Sequence, residues 1–546
     1  SMHIKRLHIE NFKKFNGSYD IEFNQGINIL VGDNEIGKST IIEAVYLGLT
    51  GIYRGGYLKN NLTSYLFNQT VVDNFLQAVN SGQKVDLPHI LIELYFGDTQ
   101  CPEMMGSGNS LHDNNACGLS LRIEFNEEAY KEEYQELLKD GILTLPMEYY
   151  QVIWSSFSRD RHITSRSIPL KAAFIDSSNY RHQNDSDVYI SRIVRDLLSE
   201  KEIVDISQAF RKIQEGFMED TAVSTINQHI SRNADISSKD VSLSVDFSSR
   251  NAWEDFMTTY LDKIPFSNIG KGEQCIVKTK LALSHKKTTE SNLLLIEEPE
   301  NHLSYSKLNE LIKSIAEKNE GKQVIISTHS SFVANKLGLD SIILLGNGKN
   351  MKLNDLSSNT VKYFKKLSGY DTLRLLLCRK AILVEGDSDD LVVQKAYLEK
   401  YKHLPIEDGI DVISVRSLSF LRYLEIAKKL DLKVAVVTDN DGNVEALVNK
   451  YRDYTSCDNI NIYYDGNVDS GDMAGFNYNT LEPKLLKFNS LAILNSILGK
   501  EYTDDKDLLK YMHDHKTDCA LAIFECDDLT GFTFPTYILQ AISNEQ

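Results

Sequence analysis

Apolar and polar residues alternate with strand periodicity through residues 3–31, and the run closes on GINILV immediately before a glycine loop. Further strand-like segments fall at Ile90–Phe96 and Leu119–Phe125. Spacing then turns helical over residues 186–235, with few turn signals. Two short apolar runs, Leu293–Ile296 and Val324–Ile326, read as buried strands. After about residue 350 the pattern becomes regular. Apolar runs near 381–384, 411–415, 433–438 and 460–464 alternate with helical stretches near 388–401, 419–430 and 443–452. That alternation predicts an α/β chain ending in a parallel sheet flanked by helices. In such sheets the chemistry belongs at the carboxyl ends of the strands.

Length and composition sharpen this picture. A chain of 546 residues exceeds one ordinary core, so two to four domains are expected. No apolar run approaches the roughly 20 residues that span a bilayer, which predicts no membrane segment. No secretory leader is read, and Ser1-Met2 reads as an expression remnant. Seven cysteines without a C-x-x-C pair argue against a disulfide framework or structural zinc, and for a reducing cytoplasm. The net charge of −18 argues against a simple electrostatic DNA binder, which would usually be basic. From Arg379 onward, 18 basic and 29 acidic residues carry −11 of that total. Surface solubility explains part of it. The sharper reading is a segment that needs divalent cations before it can approach a polyanion.

Two motif sets carry the candidate chemistry. The first is GDNEIGKS, Gly32 to Ser39, which has full Walker A spacing between a strand and a helix expected over Lys38–Gly48. Gly32, Asn34, Gly37, Lys38, Ser39 and Thr40 form the candidate phosphate cradle for ATP, with backbone N–H groups around the phosphates and Ser39 reaching Mg²⁺. LLLIEEPENHL (293–303) delivers Glu297 and Glu298 to a strand end. Glu297 suits the water shell of the metal, and Glu298 suits orientation of an attacking water. STHS (327–330) sets His329 after the next strand, within expected reach of the γ-phosphate, and NIGKGEQ (268–274) precedes the acidic strand with Gly270 and Gly272. Taken singly, each has an ordinary structural explanation; in this order, coincidence explains them poorly.

The second set is acidic. LVEGDSDD places Glu385 and Asp389 around a helix start, and VVTDNDG ends a strand with Asp439 and Asp441. Each aspartate alone reads as a turn or helix cap. Together they read as a nest for Mg²⁺ or Mn²⁺, because clustered carboxylates without a cation repel one another. Two ions roughly 4 Å apart can stabilise the attacking and leaving oxygens of a phosphodiester.

The order Walker A, GKGEQ, acidic strand, STHS resembles an ABC-type ATPase of the RecF, SMC and Rad50 branch, as does the opening IKRLHIENFKKF. The resemblance implies two heads closing on nucleotide, with the signature loop serving the opposite subunit. Two positions depart from it. Gly270 stands where the signature usually starts with serine, and Glu297 stands where the usual acid is aspartate. No sustained heptads span residues 50–290, so long coiled arms are not expected. The C-terminal acids resemble the Toprim signature. An ABC-type head followed by a Toprim domain resembles the OLD (overcoming lysogenization defect) family, which includes the nuclease subunit of Gabija antiphage systems.

That resemblance implies a split ATPase domain with a helical dimerisation insert, then a C-terminal Toprim nuclease domain. The boundaries expected are 1–164 and 256–350 for the ATPase halves, 165–255 for the insert, 351–378 for a linker and 379–546 for the Toprim domain. It also implies Glu482 as a further metal ligand and Lys516 as a stabiliser of phosphate charge. The implied partners are DNA, a second copy of the chain, and a helicase-like or other defence-system protein. The alternative is an ATP-driven DNA-binding or repair clamp whose Toprim fold is only structural. A topoisomerase needs a further domain with a nucleophilic tyrosine, and a primase often adds a Cys-rich zinc module. Neither is read here.

Overall fold

A computed structural model describes residues 2–32, 37–97, 101–175, 198–233, 240–247, 253, 256–284, 292–366, 374–375, 377–415 and 420–543. Strands β1 (His3–Glu10) and β2 (Ser18–Glu22) form an antiparallel hairpin, while β3 (Ile27–Val31) leaves for a different sheet. Helix α1 (Lys38–Thr50) follows, then β4 (Ile90–Gly97), β5 (Cys117–Phe125) and β6 (Tyr150–Ser156). The first sheet runs β2-β1-β4-β5-β6, antiparallel throughout. Helix α1 is apolar over most of its surface, apart from a half-buried stripe of Ser39, Glu43, Tyr46 and Thr50, so it needs cover from two sides. Ile41, Ile42, Val45 and Leu47 are buried in a core shared with Leu94 and Leu119 from one sheet and Leu293 and Ile325 from the other.

That second sheet gathers strands from distant parts of the chain. Strand β7 (Ala172–Ile175) pairs parallel with a later strand of this sheet, although it falls inside the segment 165–255. Its AAFI run is apolar at every position and needs a sheet edge rather than a solvated insert. Helices α2 (Glu200–Glu219) and α3 (Thr221–Asn233) are described helices of the insert. A capping box between Ser199 and Glu202 starts α2. The helical spacing read at 186–197 and at 234–235 lies outside the described residues.

Helix α4 (Lys271–Ser284) leads into β8 (Leu293–Glu297), α5 (Tyr305–Lys318) and β9 (Gln323–Thr328). Helix α5 starts where the Ser304 hydroxyl accepts from Lys307 N–H. It buries Leu308, Leu311, Ile312 and Ile315, one stripe at helical spacing. Helix α6 (Ser331–Leu337) and the hairpin β10 (Ile342–Gly346) and β11 (Lys349–Lys352) complete the sheet, in the order β11-β10-β3-β9-β8-β7. Only β11 is antiparallel. The run of parallel strands brings the ends of β3, β8 and β9 to one edge.

Helix α7 (Ser358–Lys366) bridges to the C-terminal domain. There β12 (Lys380–Val384), α8 (Asp387–Tyr401), β13 (Ile410–Ser414), α9 (Phe420–Leu430), β14 (Lys433–Val437) and β15 (Ile460–Tyr463) alternate as the pattern predicts. The sheet order is β13-β12-β14-β15, all parallel. Val384 lies opposite Val437, so Glu385 and Thr438 leave the sheet side by side. Helices α10 (Leu481–Phe488) and α11 (Lys516–Glu525) pack beyond it.

The two domains share a hydrophobic core. Leu344 and Leu353 belong to the same buried cluster as Tyr423, Leu430 and Leu432. Glu425 of α9 accepts hydrogen bonds from Ser357 N (2.6 Å), Ser357 Oγ (3.0 Å) and Thr360 Oγ1 (2.6 Å), placing a carboxylate at the start of α7. Among the described residues, no helix is long and apolar enough to cross a membrane. Leu430→Ala is expected to cost about 2–5 kcal/mol of stability. Denaturant unfolding would show both domains losing stability together if the shared core is real, and separately if it is not.

Candidate functional site

The nucleotide-type motif sits where β3 meets α1. Gly37, at φ +99°, occupies a left-handed conformation that glycine tolerates best. Gly32 is buried at the end of β3, and Ser39 and Thr40 lie in the first turn of α1. Asn34 lies outside the described residues. Lys38 is 1% exposed, and its ammonium is 3.5 Å from Glu298 Oε1 and donates to the Thr328 carbonyl at 3.3 Å. A cation so buried needs compensation, and Glu298 supplies it.

Glu297 and Glu298 leave β8 beside the end of β9, where Glu297 is in register with Ser327. Glu298 adopts a left-handed φ of 41°, uncommon for an L side chain. The turn is held by Glu298 N–H on the Ser327 carbonyl (2.9 Å) and Asn301 Nδ2 on Glu298 Oε2 (2.8 Å). His329, 3.8 Å away, and then Lys38 hold the Glu298 carboxyl down to about 2 against its partial burial. His329 is raised in turn, by Glu298 first and by Glu300. Lys38, Glu298 and His329 therefore converge. Gly270 and Gly272 lie at the start of α4, on a different segment. A Cβ on Gly272 would sit 2.4 Å from the His302 carbonyl, so its lack of a side chain lets α4 approach the acidic turn.

The second site lies at the ends of β12 and β14. Glu385 Oε1 accepts from Thr438 Oγ1 (2.6 Å) and from Asp439 N–H (3.1 Å), locking the two strand ends together. Asp389 stands in the first turn of α8. Burial raises its pKa well above the carboxylate range, and the charges of Glu385 and Glu482 push it further. Asp439 is raised for the same reasons, by burial and then by Glu385, Asp389 and Asp441. Glu482, on α10, is 4% exposed and raised by burial, an effect opposed by Lys516 and His513. Asp441 is exposed, has φ +49°, and accepts from Asn477 Nδ2 at 3.1 Å. Lys516 is exposed at the start of α11.

All six C-terminal positions expected from sequence thus belong to one electrostatic neighbourhood. Among the described residues, however, no three His, Cys, Asp or Glu side chains stand ready as a metal chelate. The donor set fits a divalent cation, because buried carboxylates that raise one another lack local positive charge. Thr438 Oγ1 and Asp439 N–H both donate to Glu385 Oε1, so a cation meeting that oxygen would compete with them. Sequence reasoning missed Thr438, Asn477 and the buried Tyr537, whose pKa is raised by burial and then by Asp439, Asp389 and Glu385. It also missed Glu300 and Asn301, although both stand inside the quoted PENHL segment.

Known proteins share both halves. Residues 3–350 match the RecF/RecN/SMC N terminal domain, and residues 376–441 match the Overcoming lysogenization defect protein-like TOPRIM domain. The fold is therefore an SMC- and RecF-like ATPase head followed by a TOPRIM domain with a parallel sheet. The chain belongs to the RecF/RecN/SMC family, in the OLD-type arrangement that adds an OLD-like TOPRIM domain. Among curated relatives, the DNA replication and repair protein RecF of Streptococcus suis is 41% identical over 54 residues, 10% of this chain and 15% of that protein. The DNA double-strand break repair Rad50 ATPase of Methanopyrus kandleri is 50% identical over 46 residues, 8% of this chain and 5% of that one. The chain thus spans well under a fifth of either relative.

Among solved structures, the Pyrococcus furiosus Smc head domain with an extended coiled coil, bound to the C-terminal domain of ScpA, is 13% identical. It covers 67% of this chain and 100% of that one, at a TM-score of 0.34. The C-terminal region of the Burkholderia pseudomallei OLD protein is 18% identical, covers 31% of this chain and 96% of that one, and has a TM-score of 0.24.

The raised carboxyls make a pH prediction with a definite sign. A folded-state pKa above the unfolded value means that the native state binds more protons. Stability from these groups is present below the unfolded carboxylate range, near pH 4, and is lost as pH rises toward their raised native values. In metal-free buffer Asp439→Asn should gain stability relative to the unsubstituted chain between about pH 5 and 8. Mg²⁺ should raise the melting temperature of the unsubstituted chain more at the higher pH, and raise that of the variant less. Melting curves with no pH-dependent gap between the two proteins would contradict this.

Proposed function

We propose that the protein is an ATP-responsive, divalent-metal-dependent DNA endonuclease that nicks or cleaves phosphodiesters in bacterial antiphage defence, similar to the nuclease subunit of Gabija systems. The observation that carries this reading is the set of mutually repelling carboxylates at the ends of β12 and β14. Their cost is hard to explain unless a cation offsets it. Glu385, Asp389, Asp439, Asp441 and Glu482 would hold Mg²⁺ or Mn²⁺. When bound, the ions supply positive charge for the attacking and leaving oxygens. Lys516, whose charge reaches Glu482, would meet the phosphate charge.

In the N-terminal domain, Gly32, Asn34, Gly37, Lys38, Ser39 and Thr40 would cradle ATP with its Mg²⁺. Glu297 would support the metal's water shell, Glu298 would orient a water, and His329 would meet the γ-phosphate. The Lys38 ammonium is paired with Glu298. Phosphate oxygens compete for that cation, so nucleotide binding would release Glu298 toward the reacting centre. Gly270 and Gly272 would serve the nucleotide of a second copy. Exposed Ile213, Phe217 and Ile226 on the insert helices support a homodimer. A helicase-like or other defence-system protein remains part of this reading, as does a cytoplasmic location. The competing reading, a DNA-repair clamp with a non-catalytic C-terminal domain, draws on the RecF and Rad50 relatives.

Plasmid nicking separates the two. Asp439→Ala and Glu385→Ala should each lower cleavage with Mg²⁺ or Mn²⁺ by at least about a hundredfold while leaving ATP affinity unchanged. Cutting at the normal rate by both variants, or full cutting in EDTA, rejects the nuclease assignment. An ATP titration of the cleavage rate tests the coupling. The unsubstituted chain should respond in one direction, and Lys38→Ala should give a flat line; two flat lines contradict ATP control.

A further inference from the structure

Glu300 has no part in the chemistry described so far, yet its carboxylate joins the acidic turn to the histidine loop. One oxygen, Oε1, accepts the Thr328 hydroxyl (2.8 Å) and the His329 backbone N–H (2.8 Å). It also lies 3.1 Å from His329 Nδ1. The side chain is 10% exposed, and its other oxygen is buried without a hydrogen-bond partner among the described residues. Buried carboxylates are costly, and those found in native structures have a reason. Pro299 and the left-handed Glu298 set the turn that brings Glu300 back toward β9.

The consequence is mechanical. His329 begins the connection from β9 to α6, and such a connection is free to move unless something holds it. Its Nδ1 makes no well-directed hydrogen bond, lying 3.8 Å from Glu298 Oε1 and 3.1 Å from Glu300 Oε1. The backbone N–H and the neighbouring hydroxyl fix the loop, and both end on Glu300. Glu298 Oε1 faces both Lys38 Nζ at 3.5 Å and His329 Nδ1 at 3.8 Å. Glu298 therefore meets the lysine and the imidazole, while Glu300 grips the loop through its backbone N–H and the Thr328 hydroxyl.

We infer that Glu300 is a positioning residue that holds His329 over the phosphate cradle, so that the pocket distinguishes a nucleoside triphosphate from a diphosphate through that histidine. The inference rests on the ATP-site reading above. It deepens that reading by naming which residue sets the discrimination. Glu300 acts through His329, so the two should behave as one unit rather than as independent contributors.

The test measures ATP and ADP affinity by calorimetry with Mg²⁺ on the full chain. Glu300→Ala should weaken ATP by about tenfold and leave ADP within about twofold. Glu300→Gln keeps an acceptor oxygen for both donors and should retain most of the ATP preference. His329→Ala should reproduce the Glu300→Ala loss, and the double variant should be no worse than either single one. Thr328→Val, close in shape, removes one of the two donors. It should give a smaller loss of the same kind, about threefold, and keeps the test usable if Glu300→Ala does not fold.

An unchanged ATP-to-ADP ratio in Glu300→Ala or Thr328→Val overturns the inference. So do additive losses in the double variant, or equal losses for ATP and ADP. If the unsubstituted chain binds neither nucleotide, the ATP-site reading falls and this inference falls with it. Normal discrimination in the unsubstituted chain that persists in Glu300→Ala overturns the inference alone.

Discussion

Like charges buried at the end of a parallel sheet set the terms for everything around them. Strands β12 and β14 are apolar and lie side by side, so the residues that follow them have one place to go. Glu385 follows the first directly, and Thr438 and then Asp439 follow the second. Burial and mutual repulsion both favour protonation of Asp389 and Asp439, and the hydrogen bonds from Thr438 and Asp439 N–H steady only Glu385. The N-terminal site shows the opposite balance. Its acids are matched by Lys38 and His329, and the Glu298 carboxyl is depressed rather than raised. One site has its countercharge built in; at the other, burial and neighbouring carboxylates favour the protonated acids.

Control of one site by the other needs a physical connection between them. The shared core provides one. Hairpin β10–β11 carries the nucleotide-side sheet to α9, where Asn347 Nδ2 donates to the Asp431 carbonyl and Leu430 meets Gly346. Glu425 then fixes the start of α7. These contacts join the bridging segment to the faces of both sheets, so the two domains are not beads on a free tether. The segment expected to be a linker is packed structure over much of its length.

Much of this was legible in the chain. Runs such as KAILV and KVAVV are short and apolar, with an acid one or two residues beyond, so strand and direction both read from a few letters. The turn from β3 into α1 at Lys38 was legible because the Walker A spacing calls for a strand before the loop and a helix after it. Strand β7 was not, because AAFI is a short apolar run whose partner, β8, is more than a hundred residues away. Asn477 was equally silent. Its contact with Asp441 depends on the path of a loop, and nothing local distinguishes it from Asn479, which braces Asp469 instead. Glu300 stood in plain view, but its partners come from the neighbouring strand, which only the fold brings close.

Anomalous diffraction from crystals soaked in Mn²⁺ is the most direct measurement of whether the acid nest is a metal centre. Manganese peaks in contact with Glu385, Asp389 and Asp439, with Glu385 turned away from Thr438, are the expected result. No anomalous density beside these carboxylates at saturating Mn²⁺, or peaks only elsewhere on the surface, would contradict it.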